Sequence, residues 1–136
     1  MNNLLTAIMT KCLGSTLSTD VGDRIFLDEA PEGAEFPYIV FSIVSGMPDR
    51  TFTEYYTDTL MQFSIFSTSA SAAEITTIYA DMKALFDEHP FAITASTLVW
   101  MKEANLTTMV DDVTVSDATH MVRHWAVDYE IKTSLN

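Results

Sequence analysis

The residues best suited by type and spacing to do chemistry are two histidines and three carboxylate pairs. His120 and His124 lie four apart, and Asp28/Glu29, Glu32/Glu35 and Asp111/Asp112 are close in sequence. On a helix, four-residue spacing brings both imidazoles onto one metal ion. Met121 to Ile131, however, alternates as a strand does, with Trp125, Val127, Tyr129 and Ile131 opposite His124, Asp128 and Glu130. Strand geometry then holds His120 and His124 about 13 Å apart, too far to share an ion. Paired carboxylates can serve as acid and base, but these fall in turn-like stretches among Gly, Pro and Thr, where solvated carboxylates are the default. His89 precedes Pro90 at a helix end, where an imidazole can meet unpaired carbonyls.

The nucleophile patterns are equally thin. Cys12 is the one cysteine and sits inside an apolar stripe, which reads as a small buried hydrophobe. A single thiol allows no intrachain disulfide and no cysteine-rich metal site. Four scattered glycines form no phosphate-cradling loop, and no serine lies in a nucleophile elbow. The expectation is therefore no catalytic residue, no metal and no cofactor. Three single arginines, Arg24, Arg50 and Arg123, lie in or beside sheet-forming segments. Arg123 shares the predicted buried face of Trp125, so it either pairs with an internal acid or bridges to another subunit.

Composition narrows the partners. The chain has 136 residues, apolar residues at 48% and charged residues at 19%, which suits one globular domain over 1–136. The net charge of −12 argues against gripping nucleic acid through its phosphates, because that needs a basic patch. It does suit a surface that DNA must pass without sticking. The N-terminus lacks the basic-then-apolar pattern of a secretory signal, and no run approaches the roughly 18 apolar residues of a membrane span.

The elements that position these residues follow from periodicity. Leu4, Leu5, Ile8, Met9, Cys12 and Leu13 predict a helix over Asn3–Leu13, with Asn2 or Asn3 as cap and Gly14 as C-terminal stop. Ser15–Gly22 reads as loop, Arg24–Leu27 as a short strand and Asp28–Glu35 as a turn. Tyr38–Val44 reads as a strand apolar on both faces, hence central and covered on each side. Gly46–Tyr55 reads as irregular and Thr57–Phe66 as a half-buried strand, the two flanking strands making a long hairpin with a projecting tip. Ser71 and Glu74 have capping-box spacing before the stripe Ile75, Ile78, Tyr79, Met82, Leu85, Phe86. Thr97–Met109 reads as a strand with Leu98, Trp100 and Leu106 on one face, Val110–Ala118 as an acidic turn, and Met121–Ile131 as the last strand. The fold class is α+β: a mostly antiparallel sheet of about five strands with two helices packed on it.

The run Val21–Phe41, with Ala30-Pro31-Glu32-Gly33 leading into Phe36-Pro37-Tyr38-Ile39-Val40-Phe41, resembles the tail-completion or tail-terminator family of long-tailed bacteriophages. So do Met61-Gln62-Phe63-Ser64-Ile65-Phe66 ahead of Ser69–Glu74, and the closing Arg123–Ile131. The resemblance implies a structural virion protein in the tail or neck, assembled in the host cytoplasm. It implies a ring of six copies that caps the tail tube, ends its polymerisation and joins the head connector or stopper, while DNA passes through unbound. On that reading the hairpin residues Met47, Pro48, Asp49, Arg50 and Phe52 are the candidate inter-subunit contact, a composition typical of interface anchors. Asp111 and Asp112 are the candidate acidic lumen. Two alternatives stay open: a head-completion or neck adaptor protein, and a small α+β enzyme or ligand-binding domain.

Overall fold

The structure is a computed structural model describing residues 2–69, 71–115 and 118–135, with backbone alone over 111–115 and 118–120. Its elements are α1 (Asn2–Cys12), α2 (Thr16–Asp20), β1 (Ile25–Leu27), β2 (Tyr38–Arg50), β3 (Tyr55–Ser67), α3 (Ala73–Phe86), β4 (Ser96–Val115) and β5 (Ala118–Leu135). The strands form one sheet in the order β1-β2-β3-β5-β4. β1 runs parallel to β2, and the other pairs are antiparallel. This is the expected α+β class, with three helices among the described residues in place of two.

Helix α1 buries Leu4, Ile8 and Cys12, one residue per turn, and stops before Gly14 at φ +78°. Burial pushes the Cys12 thiol up to about 12, so it behaves as the small hydrophobe expected. The segment expected to be a loop contains α2. The Ser15 hydroxyl accepts from Ser18 N at 3.3 Å, which caps the helix, and Leu17 and Val21 are buried. Five residues are too few to show a helical period. In α3, Ile75, Ile78, Met82 and Phe86 are buried as the stripe required. The capping box does not form: Ser71 Oγ accepts from Ala73 N at 3.1 Å, while Glu74 accepts from Ser67 Oγ at 2.7 Å. Glu74 ties the helix back to the end of β3 instead.

The core is centred on Phe63, which is fully buried. Its ring lies 5.6 Å from Phe41, 5.2 Å from Phe86 and 5.6 Å from Tyr129. Aromatic stacking across β2, β3, β5 and α3 locks the helices to one face of the sheet. Among the described residues the opposite face has no helix on it. Ile39 and Phe41 are therefore buried, whereas Tyr38 and Val40 stay half-buried, which corrects the expectation that β2 is covered on both sides. Arg24 fixes the entry to β2, its Nε donating to the Pro37 carbonyl at 3.0 Å.

Three further expectations change. The stretch Gly46–Tyr55 is mostly strand: β2 continues through Arg50, and only residues 51–54 separate it from β3. A β-bulge at Val44 breaks the alternation and hides the continuation from the sequence. The hairpin so formed does not stand clear of the sheet, because β5 accompanies β3 as far as Ser134 opposite Tyr56. Finally, Val110–Ala118 is not an acidic turn. β4 runs to Val115 and β5 starts at Ala118, and from Val122–Asp111 to Ala118–Val115 the two pair beyond the last β3 partner, Ser67. Five paired positions at strand spacing extend this ribbon roughly 15 Å past the sheet.

Candidate functional site

The predicted contact residues come together at the end of the sheet where β2 turns into β3. The turn is held by Thr51 N donating to Glu54 O and Glu54 N donating to Thr51 Oγ1, each at 3.0 Å. Phe52 stands on it fully exposed, and Met47 is 65% exposed. The Arg50 guanidinium lies 4.5 Å from the Tyr55 ring, so it is held in place while its polar edge stays outward. Pro48 pairs with Thr57. Its missing N–H blunts the outer edge of β2 against another strand.

Asp49 plays a different part from its neighbours. Its carboxylate accepts from Lys132 Nζ at 2.9 Å, and Asp58 lies 3.8 Å from the same ammonium. The hydrogen bond to Asp49 is the main cause of the raised Lys132 pKa. Lys132 also lies 4.8 Å from the Tyr56 ring and 5.1 Å from Trp100. Lys102 approaches Trp100 from its other neighbour position at 5.0 Å. One lysine thus ties β2, β3, β5 and β4 together at this end. A groove of about 330 Å³ between Met47, Leu60 and Trp100 lies beside it.

Trp100 and Lys102 escaped the sequence reading because of irregularities in β4. Bulges between Leu98 and Trp100 and between Glu103 and Asn105 shift the register of β4. Leu98 and Leu106 pack on the core, but Trp100 turns to the helix-free face and is 41% exposed. Strict alternation had put all three on one face. The four-residue run Leu98-Val99-Trp100-Met101, apolar without interruption, is the signal of such a bulge.

The chemical candidates do not converge. Asp28, Glu29, Glu32 and Glu35 are all exposed. His89 Nδ1 lies 2.7 Å from the Asp87 carbonyl, the helix-end contact expected of it. His124 pairs with Met109 and His120 with Val113 on the extended ribbon. The side chains of His120, Asp111 and Asp112 lie outside the described residues. Among the described residues no three His, Cys, Asp or Glu side chains gather into a metal-binding group. Arg123 is half-buried, opposite Ser67 and Val110. Two acidic contacts do perturb titration. Burial first, then the adjacent Asp81, raises Asp20 to about 6. Burial, then the Glu103 carboxylate that accepts from its hydroxyl at 2.5 Å, pushes Tyr79 up to about 12. Both lie where helices meet neighbouring elements, and neither opens onto a shared pocket with a histidine.

Residues 6–134 match the tail completion protein gp17 family. The chain belongs to that family. It is accordingly a structural protein of a phage-type virion. Among solved structures, a chain in the virion of a native gene transfer agent particle has the same fold, at 14% identity and TM-score 0.69 over 95% of this chain and 92% of that one. A second solved structure superposes at TM-score 0.55 and 12% identity, over 96% of this chain and 94% of that one. No curated protein sequence matches. Met47 and Phe52, two exposed apolar side chains, lie on this hairpin.

Proposed function

We propose that this tail completion protein is a tail terminator: a ring of six copies that caps the tail tube, ends its polymerisation and joins the tail to the head connector or stopper. The observation carrying this is the family match over residues 6–134. The exposed hairpin supports it. A ring closes only if one surface of a subunit meets a different surface of the next. Met47, Pro48, Arg50 and Phe52 are the donor surface in this reading, and Asp49 stiffens it through Lys132. Aromatic, Met and Arg side chains on a rigid support are what interfaces concentrate at their centres.

The net charge of −12 fits a passage for DNA. Phosphate is repelled by an acidic wall, so the duplex slides without specific binding. Asp111 and Asp112, on the ribbon of β4 and β5 beyond the sheet, are our candidates for that wall. The partners are further copies of this chain, the tail tube protein and the connector, in the tail or neck region of the virion.

The test is native mass spectrometry of the full chain over a concentration series, with negative-stain images of the same samples. A species near six times 15.2 kDa with a central hole is expected. A closed dimer carrying a metal or metabolite would contradict the proposal and favour an enzyme. Phe52→Glu with Met47→Glu should abolish the ring while circular dichroism shows an intact fold.

A further inference from the structure

The exposed hairpin tip requires a receiving surface, and the same chain carries one of fitting size, polarity and charge. Between α1 and the segment after α3 runs a groove of about 340 Å³, lined by Thr6, Ala7, Thr10, Lys11, Phe91 and Ala92. Its lining is mainly apolar: the methyl of Ala7, the ring of Phe91 and the stem of Lys11. A dry cavity of about 150 Å³ already takes up a benzene ring. The groove therefore has room for a phenyl group and the flanking chain of a turn.

The charges at the two surfaces are complementary. Lys11 Nζ donates to the Pro90 carbonyl at 3.0 Å and lies 5.9 Å from the Phe91 ring. Among the described residues it has no carboxylate partner. Glu54, two residues beyond Phe52, is exposed, and its hydrogen bonds to Thr51 run through its backbone. One cation and one anion, each without an opposite charge among the described residues, thus flank an aromatic knob and an apolar hole.

We infer that Phe52 of one copy inserts into the groove between α1 and Phe91 of a second copy, with Glu54 meeting Lys11 at the rim. This rests on the ring reading above and names its subunit contact. The alternative receiver, the groove beside Trp100, is the weaker one. It borders Met47 on the hairpin itself, so mutual insertion there makes a closed pair. Its lysine, Lys132, is already satisfied by Asp49 and Asp58. The α1 groove shares no residue with the hairpin, and a contact between separate surfaces propagates from copy to copy until it closes. The turn is held by its own hydrogen bonds before contact, which limits the ordering cost of docking.

The experiment uses the full chain with Thr10→Cys and Thr53→Cys together, which keeps Phe52, with each single variant as control; Thr53 is exposed and native Cys12 is buried. Under mild oxidation the double variant should give a denaturant-resistant ladder of linked copies that either single variant lacks. Independently, Glu54→Lys and Lys11→Glu should each raise the concentration needed for assembly about fivefold, and the two together should restore it. Rings that form normally but give no ladder, and are indifferent to both charge reversals, would overturn this contact and leave the ring standing. A chain that stays monomeric, or forms only a twofold dimer linked near Trp100, would overturn both.

Discussion

Replacing Asp20 by Asn should stabilise the fold at neutral pH and do nothing at acid pH. Asp20 ends α2, its Oδ2 is buried, and Asp81 of α3 is its nearest acid. Burial and that neighbour raise its pKa from 3.8 to about 6. The folded state therefore keeps a proton that the unfolded chain gives up between those values. Stability contributed by this group is present below pH 3.8 and falls as the pH climbs through about 6. Two pH units correspond to roughly 3 kcal/mol at most. Asp20 keeps substantial contact with solvent, and screening reduces the expected effect to about 1 kcal/mol. For a chain of this length that shifts Tm by about 4 °C. Thermal melts of wild type and Asp20→Asn at pH 7.5 and pH 3.5 give the answer as a difference of differences, which removes the other carboxylates. A variant less stable than wild type at pH 7.5, or a gap independent of pH, would refute the reasoning.

Two predictions concern the core. Phe63→Ala removes the ring shared by Phe41, Phe86 and Tyr129; urea unfolding should show a loss of about 3–5 kcal/mol. Tyr129→Phe should be neutral or stabilise by up to about 1 kcal/mol, because the buried hydroxyl has no hydrogen-bond partner among the described residues. A clear loss in the same urea assay would show that a bound water satisfies it.

Regular periodicity made much of this fold legible. The centres of the α1 and α3 stripes and the alternation Met61-Phe63-Ile65 and Val127-Tyr129-Ile131 correspond to buried residues, while Leu13 at the end of the α1 stripe is exposed. What was hidden was local and physical. The bulge at Val44 disguised six further strand residues from Ser45 to Arg50. The bulges in β4 sent Trp100 to the other face. A five-residue helix capped by Ser15 left no period to detect. The acidic composition of Val110–Ala118 suggested a turn, yet the partner strand supplied the pairing that local propensity did not. The candidate contact residues stood out only as types, since Met, Arg and Phe beside Pro is an unusual combination. The long-range ties were not, because Lys132 and Asp49 lie 83 positions apart. Nothing in their local sequence pairs them.

A tail terminator in this position has to stop the growth of a tail tube. The measurement that bears on it most directly is the length of tubes assembled from purified tail tube protein, with and without this chain, read by electron microscopy. Substoichiometric amounts should arrest elongation and leave a ring of extra density at one tube end. Tube lengths unchanged at every ratio, with bare ends throughout, would contradict that role.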